Sequence, residues 1–220
     1  MNRFIVIVCI TFFTEIHIFG QERWSLEIQG SAAENISMPL HISQKGYPDI
    51  NLIAKFNSRS LTAPISWDWR ISHWSGGQAW EIEAIHHKLF LENTTNEVTR
   101  FNISHGFNIV CINKAFEHNY FVSRVGMGIV LAHAENIVRS LSYDDSEGFI
   151  KIGYYEFAGP VLNLSISRPI NFSKRWFLNA EAKSTFAYAR VKVANGNADL
   201  YNIAFHVILG LGGNFILKDK

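Results

Sequence analysis

The stretch Trp80–Asn113, WEIEAIHHKLFLENTTNEVTRFNISHGFNIVCIN, decides the fold. In its second half Phe101, Ile103, Phe107, Ile109 and Cys111 share one parity, and Asn102, Ser104, Gly106 and Asn108 share the other. A repeat of two is the period of a β-strand, here with one oily and one polar face. The polar run Glu92–Glu97 separates it from Ala79–Leu91, where Glu81, Glu83 and His87 alternate with Trp80, Ile82, Ala84 and His86. Two such segments predict a hairpin, and they carry the chain's densest histidine group: His86, His87 and His105.

The same period recurs on both sides of this hairpin. Trp24, Leu26 and Ile28 alternate with Ser25, Glu27 and Gln29, and Ile65, Trp67, Trp69 and Ile71 alternate with Ser66, Asp68, Arg70 and Ser72. Ile50–Asn57, Tyr120–His133, Phe149–Ile170, Trp176–Val193 and Tyr201–Phe215 follow suit, whereas Met38–Asp49, broken by Pro39 and Pro48, is expected to be loop. Ser75-Gly76-Gly77 is a hairpin turn, and Gly159-Pro160 marks a bulge inside a long strand. Helical periodicity is almost absent.

Residues 1–20 stand apart. A basic start at Arg3, an apolar run over Phe4–Phe13 and a small residue at Gly20 make a cleaved secretory signal, too short to span a bilayer. The mature part, 21–220, is expected to be one domain. It keeps a single cysteine, Cys111, so no internal disulfide holds it together. A net charge of +1 excludes nucleic acid as the expected partner. With no phosphate-binding glycine loop, paired-cysteine site or EF-hand run, neither a cofactor nor a metal is expected.

Alternating strands with aromatic apolar faces fit two architectures. In a secreted soluble β-barrel that binds an apolar ligand, the oily face points inward. In a transmembrane barrel it points to lipid and the polar face fills the lumen. Trp24, Trp67, Trp69, Trp80, Tyr120, Trp176, Tyr188, Tyr201 and Phe215 lie largely near strand ends, as interfacial girdles do. Short turns near Gly76, Glu117 and Ser173 alternate with longer connections near Thr94, Ser142 and Asn195. In both respects the mature chain resembles the small outer-membrane β-barrel proteins of Gram-negative bacteria. One departure is that Phe215 is followed by five more residues, where such barrels commonly end on an aromatic.

The resemblance implies an all-β, closed antiparallel up-and-down barrel in the cell outer membrane. It also implies outer-membrane lipids or lipopolysaccharide as surroundings and insertion by the barrel assembly machinery. Closure with an even strand number gives eight strands. Glu27, Lys55, Asp68, Arg70, Glu81, Glu83, Arg124, Glu181 and Lys183 are expected to pair inside as a polar plug, which argues against an open pore.

Parity places His86, His105 and His133 outward on adjacent strands near the long loops, with His87 inward across from His105. With Lys88 and Asn108 they form a candidate patch that would bind lipopolysaccharide phosphates, hold a metal or supply a general base; the plain alternative is imidazoles tolerated at a wet interface. Outer-membrane lipid A deacylases are similar in size and signal, and use a histidine and a serine two residues apart followed by asparagine. Here the run is Ser104-His105-Gly106-Phe107-Asn108, so only His105 and Asn108 match. An acyl hydrolase with His105 as base, Ser104 as nucleophile and Glu83 in support is the enzymatic alternative to a structural or envelope-binding role. A bulge at Gly106 is what would bring Ser104 and His105 to a common surface.

Overall fold

The computed structural model describes residues 22–144 and 156–216; the expected signal segment, 1–20, lies outside the described residues. Thirteen strands follow in chain order: β1 (Arg23–Ile36), β2 (Met38–Gln44), β3 (Ile50–Ala54), β4 (Phe56–Asn57), β5 (Trp67–Ser75), β6 (Gln78–Leu91), β7 (Val98–Glu117), β8 (Val122–Ala132), β9 (Glu135–Val138), β10 (Leu141–Asp144), β11 (Glu156–Asn171), β12 (Trp176–Val193) and β13 (Gly196–Ile216). Eight of them pair antiparallel in a ring, β1–β5–β6–β7–β8–β11–β12–β13, which returns to β1 through Arg23 opposite Ile216 and Ile36 opposite Ile203. Across the belt, closure leaves no unpaired edge among the described residues, the condition for a sheet in lipid.

In the half bearing the short turns, the polar parity faces in. On β1, Ile28 is 67% exposed while its neighbour Glu27 is 2% exposed. Leu26, Ile71, Ile82, Ile112, Met127, Leu164, Leu178 and Leu209 continue the exposed belt around the ring. A soluble barrel would turn these residues inward, so the belt is a surface for lipid. Trp24, Trp80, Tyr120 and Trp176 edge it at one end and Trp67 and Tyr201 at the other.

The lumen of this half is filled. Arg70 donates to Glu83 (Nε, 3.0 Å), to Glu181 (2.7 Å) and to Glu27 (3.4 Å). Arg124 donates to Glu81 (2.9 Å), and Lys183 to Asp68 (2.6 Å) and Glu83. Asn113 and Asn163 complete the shell of Glu83. At the mouth Arg23 pairs with Glu117 (3.1 Å) and stacks on Trp74, leaving a cavity of about 40 Å³ beside Arg124, enough for a water. The much larger concavity, about 870 Å³, is lined by outward-facing side chains such as Ile112, Met127, Leu162 and Phe186 and so lies outside the wall.

Above the belt the polarity turns over. Here Phe101, Ile103, Phe107, Ile109 and Cys111 face inward and are buried with Ile85, Leu89, Val130, Val191 and Leu200. The oily face of β7, expected to meet lipid, is thus a water-excluding core, because above the belt the surroundings are water rather than hydrocarbon. Met38–Gln44 is strand, not loop: β2 extends the sheet beyond β13 and brings Leu40 and Ile42 into this core. Ile50–Asn57 is no stave of the ring; as β3 and β4 it bridges β2 to the top of β6. Lys55 therefore lies on the outside of this crown, paired with Glu92 at 2.9 Å, and not in the lumen. The connection at Asn195 is a two-residue turn between Val193 and Gly196, because β12 and β13 themselves run out to the tip.

Candidate functional site

Belt and crown meet on the outer wall where β6 and β7 fall out of step. His87 pairs with Phe107 and Leu89 with Ile103, so three residues of β7, 104 to 106, stand against the single Lys88 of β6. The excess is taken up around Gly106, whose φ of +145° is a backbone state that side chains rarely adopt. A Cβ there would also stand 2.5 Å from the Asn108 amide. A bulge at Gly106, the condition for a surface shared by Ser104 and His105, is present.

The bulge gathers outward-facing polar residues from three strands. His86 Nδ1 lies 2.7 Å from Asn108 Oδ1, and the ring stacks on Trp67 at 5.4 Å, which covers it from outside. With the Asn108 oxygen accepting, Nδ1 carries the proton and Nε2 is the basic nitrogen. One strand segment higher, Ser104 Oγ donates to Glu135 Oε1. His133 N donates to Gly106 O at 3.2 Å, which ties the start of β9 to the bulge. The backbone of His105 lies on β7, and its side chain lies outside the described residues.

The other expected residues go elsewhere. Glu83 does not meet Ser104: it pairs across from Cys111, within the luminal network of Arg70, Lys183, Asn113 and Asn163. A carboxylate does reach Ser104, but it is Glu135, which the sequence places in a loop because β9 has only four residues. His87 faces inward, opposite Phe107 rather than His105. It sits 3.0 Å from Asn35 Oδ1, which also accepts from Asn202, and its ring meets Phe107 and His206 edge-on, at the level where the polar lumen gives way to the apolar core. Lys88 occupies the register shift and leaves the patch: its ammonium donates to three backbone carbonyls of the segment before β5.

The outer patch thus unites His86, Asn108, Ser104, Glu135 and His133 around the bulge. Just above the lipid belt it presents the half-buried Asn108 carboxamide and the Ser104 hydroxyl held by Glu135, with the His86 imidazole buried beneath Trp67. Among the described residues no three His, Cys, Asp or Glu side chains stand close enough to hold a metal ion.

No known protein family's profile matches the chain, and no curated protein matches it. Solved structures do. The outer membrane protein AlkL in lipid bilayers aligns with a TM-score of 0.51 at 12% identity, over 97% of this chain and 99% of that one. OprG, an outer membrane protein of Pseudomonas aeruginosa, aligns with a TM-score of 0.51 at 7% identity, over 90% and 97%. Identities this low speak for the fold alone. Together with the closed ring, the charged lumen and the exposed apolar belt, they give this chain the fold of a small eight-stranded outer-membrane β-barrel.

Proposed function

We propose that the protein is an integral outer-membrane barrel with a structural or envelope-component-binding role, closed to solutes, that presents a folded crown above the outer leaflet. One observation carries this reading: the lumen is occupied from end to end, by ion pairs within the belt and by an apolar core above it. Among the described residues Ile103, Phe107, Ile109 and Leu200 are wholly buried in that core, which gives water and ions an apolar lining in place of a polar one. The outer patch lies at headgroup height, where Asn108, oriented by the buried His86, and Ser104 match the phosphate and hydroxyl groups of lipopolysaccharide. Purified protein in planar bilayers is expected to give no stable conductance steps, and steps of uniform size would end the reading.

A second reading, an acyl hydrolase of outer-membrane lipids, is favoured by the Ser104–Glu135 hydrogen bond at the bulge. A hydroxyl held by a carboxylate near histidines resembles the arrangement that activates a nucleophile, with Glu135 in the place expected of Glu83. Mass spectrometry of lipid A from cells producing the protein or its Ser104→Ala variant separates the two. Identical acyl patterns support the binding role; chains lost only with the unaltered protein support the hydrolase.

A further inference from the structure

We infer that the segment Ser58–Ser66 is a lipid-anchoring loop, which lays Leu61 and Ile65 into the outer leaflet and is held in that pose by Lys88. The inference rests on the membrane-spanning reading of the belt.

The segment is built, not slack. Thr62 N donates to Arg59 O (3.0 Å) and Ser66 N to Ser60 O (2.9 Å), forming two internal turns. Ser58 Oγ donates to Ala33 O (2.7 Å), Ser60 Oγ accepts from Ala33 N (3.0 Å), and Ser31 N donates to Ser66 O (3.2 Å). These bonds lay the segment along β1, filling the place that β5 leaves empty above Trp67. Lys88 Nζ then reaches Arg59 O (3.0 Å), Thr62 O (2.7 Å) and Pro64 O (2.7 Å). An ammonium has three protons to donate, and all three are used on one loop. Lys88 is 1% exposed, so this charge is withdrawn from water to hold a backbone.

A loop fixed at this cost would be expected to turn its apolar side chains inward. Instead Leu61 is 86% exposed and Ile65 57% exposed. Lipid is the occupant the geometry favours, because the patch is continuous with the belt. Ile65 stands two residues before Trp67 on the exposed parity that runs on through Ile71. Arg59, whose guanidinium stacks on Phe90 at 4.3 Å, supplies a cation beside it for the lipid phosphates. Apolar side chains flanked by a cation are the composition of a segment lying in a membrane interface.

The test places one thiol-reactive fluorophore at Leu61→Cys, Ile28→Cys or Lys45→Cys of the full mature protein in phosphatidylcholine vesicles, with and without brominated phosphatidylcholine. Cys111 is buried, and unsubstituted protein serves as the labelling blank. The brominated lipid is expected to quench the label at 61 roughly twofold, approaching that at 28 in the belt, while the label at 45 on the crown is quenched only by aqueous iodide. Adding Lys88→Met is expected to shift the label at 61 toward iodide. The inference is overturned if position 61 behaves like 45 while 28 is still quenched by the brominated lipid. If 28 is also reached only by iodide, it is the membrane-spanning reading that has failed.

Discussion

Arg70 shows what one residue does in this lumen. Its guanidinium touches Glu27, Glu83 and Glu181, which reach it from β1, β6 and β12, so it ties opposite walls of the barrel together. Removing one partner of a buried ion network leaves charges with neither water nor counter-ion. Arg70→Met is therefore expected to cost about 3–5 kcal/mol, read as a lower urea midpoint in vesicles. The carboxylates are less equal. Among the described residues Glu27, Asp68, Glu81, Glu83 and Glu181 share their ion pairs with Arg70, Arg124 and Lys183, so this network holds five acids against three bases. Asp68 meets Lys183 alone, whereas Glu83 meets both Lys183 and Arg70. Asp68→Asn is expected to be neutral or stabilising in the same assay and Glu83→Gln destabilising; equal losses would contradict the charge count.

At the scale of elements, β7 is the informative strand because it crosses both surroundings. Ile109 is in the core and Ile112, three residues on, faces lipid. Phe107→Ala is expected to cost about 3–5 kcal/mol, as for other large-to-small changes in a packed core. Ile112→Arg is expected to cost about 2–4 kcal/mol in vesicles, as cations on a lipid face do near the midplane. Ile112→Arg should be far milder in a detergent that lets the cation reach water, whereas Phe107→Ala should not depend on the surroundings. Comparing unfolding midpoints in the two media checks both.

This contrast also explains what the sequence made legible. On β1, β5 and β12 the alternation, girdle aromatics and luminal charges could be read directly, because each spans the belt and one polarity rule serves its whole membrane length. On β7 the period was right and the direction wrong: periodicity reports two faces but not which solvent each one meets. The crown strand β2 was hidden because Pro39 and Pro48 read as breaks, although Pro39 heads a strand and Pro48 lies beyond one. The serine of the outer patch was legible as a candidate, while its carboxylate was not. Glu135 comes to Ser104 through a pairing of β9 with β7 that no local pattern announces.

The whole molecule is two structures sharing one wall, an inside-out barrel below and an ordinary packed core above. Because β7, β12 and β13 run through both without a break, their amides are expected to be protected from hydrogen exchange in the crown as well as in the belt. Rapid exchange throughout Val98–Ile103 and Val191–Leu200 would mean that the crown is not a folded unit.

The turnover of polarity along the wall also fixes the depth at which the protein rides. Sinking by a few residues would carry Arg190 and Lys192 of β12 into hydrocarbon, and rising would lift Ile129 and Phe186, at the crown-side edge of the belt, into water. A barrel of uniform polarity could drift or lean to suit a thicker bilayer, but this one has an obligatory waterline. In a membrane that does not fit, the lipid must therefore thin or stretch to meet it. Carried in large numbers, such a protein would act as a local gauge of bilayer thickness, drawing around itself the lipids whose length matches its belt.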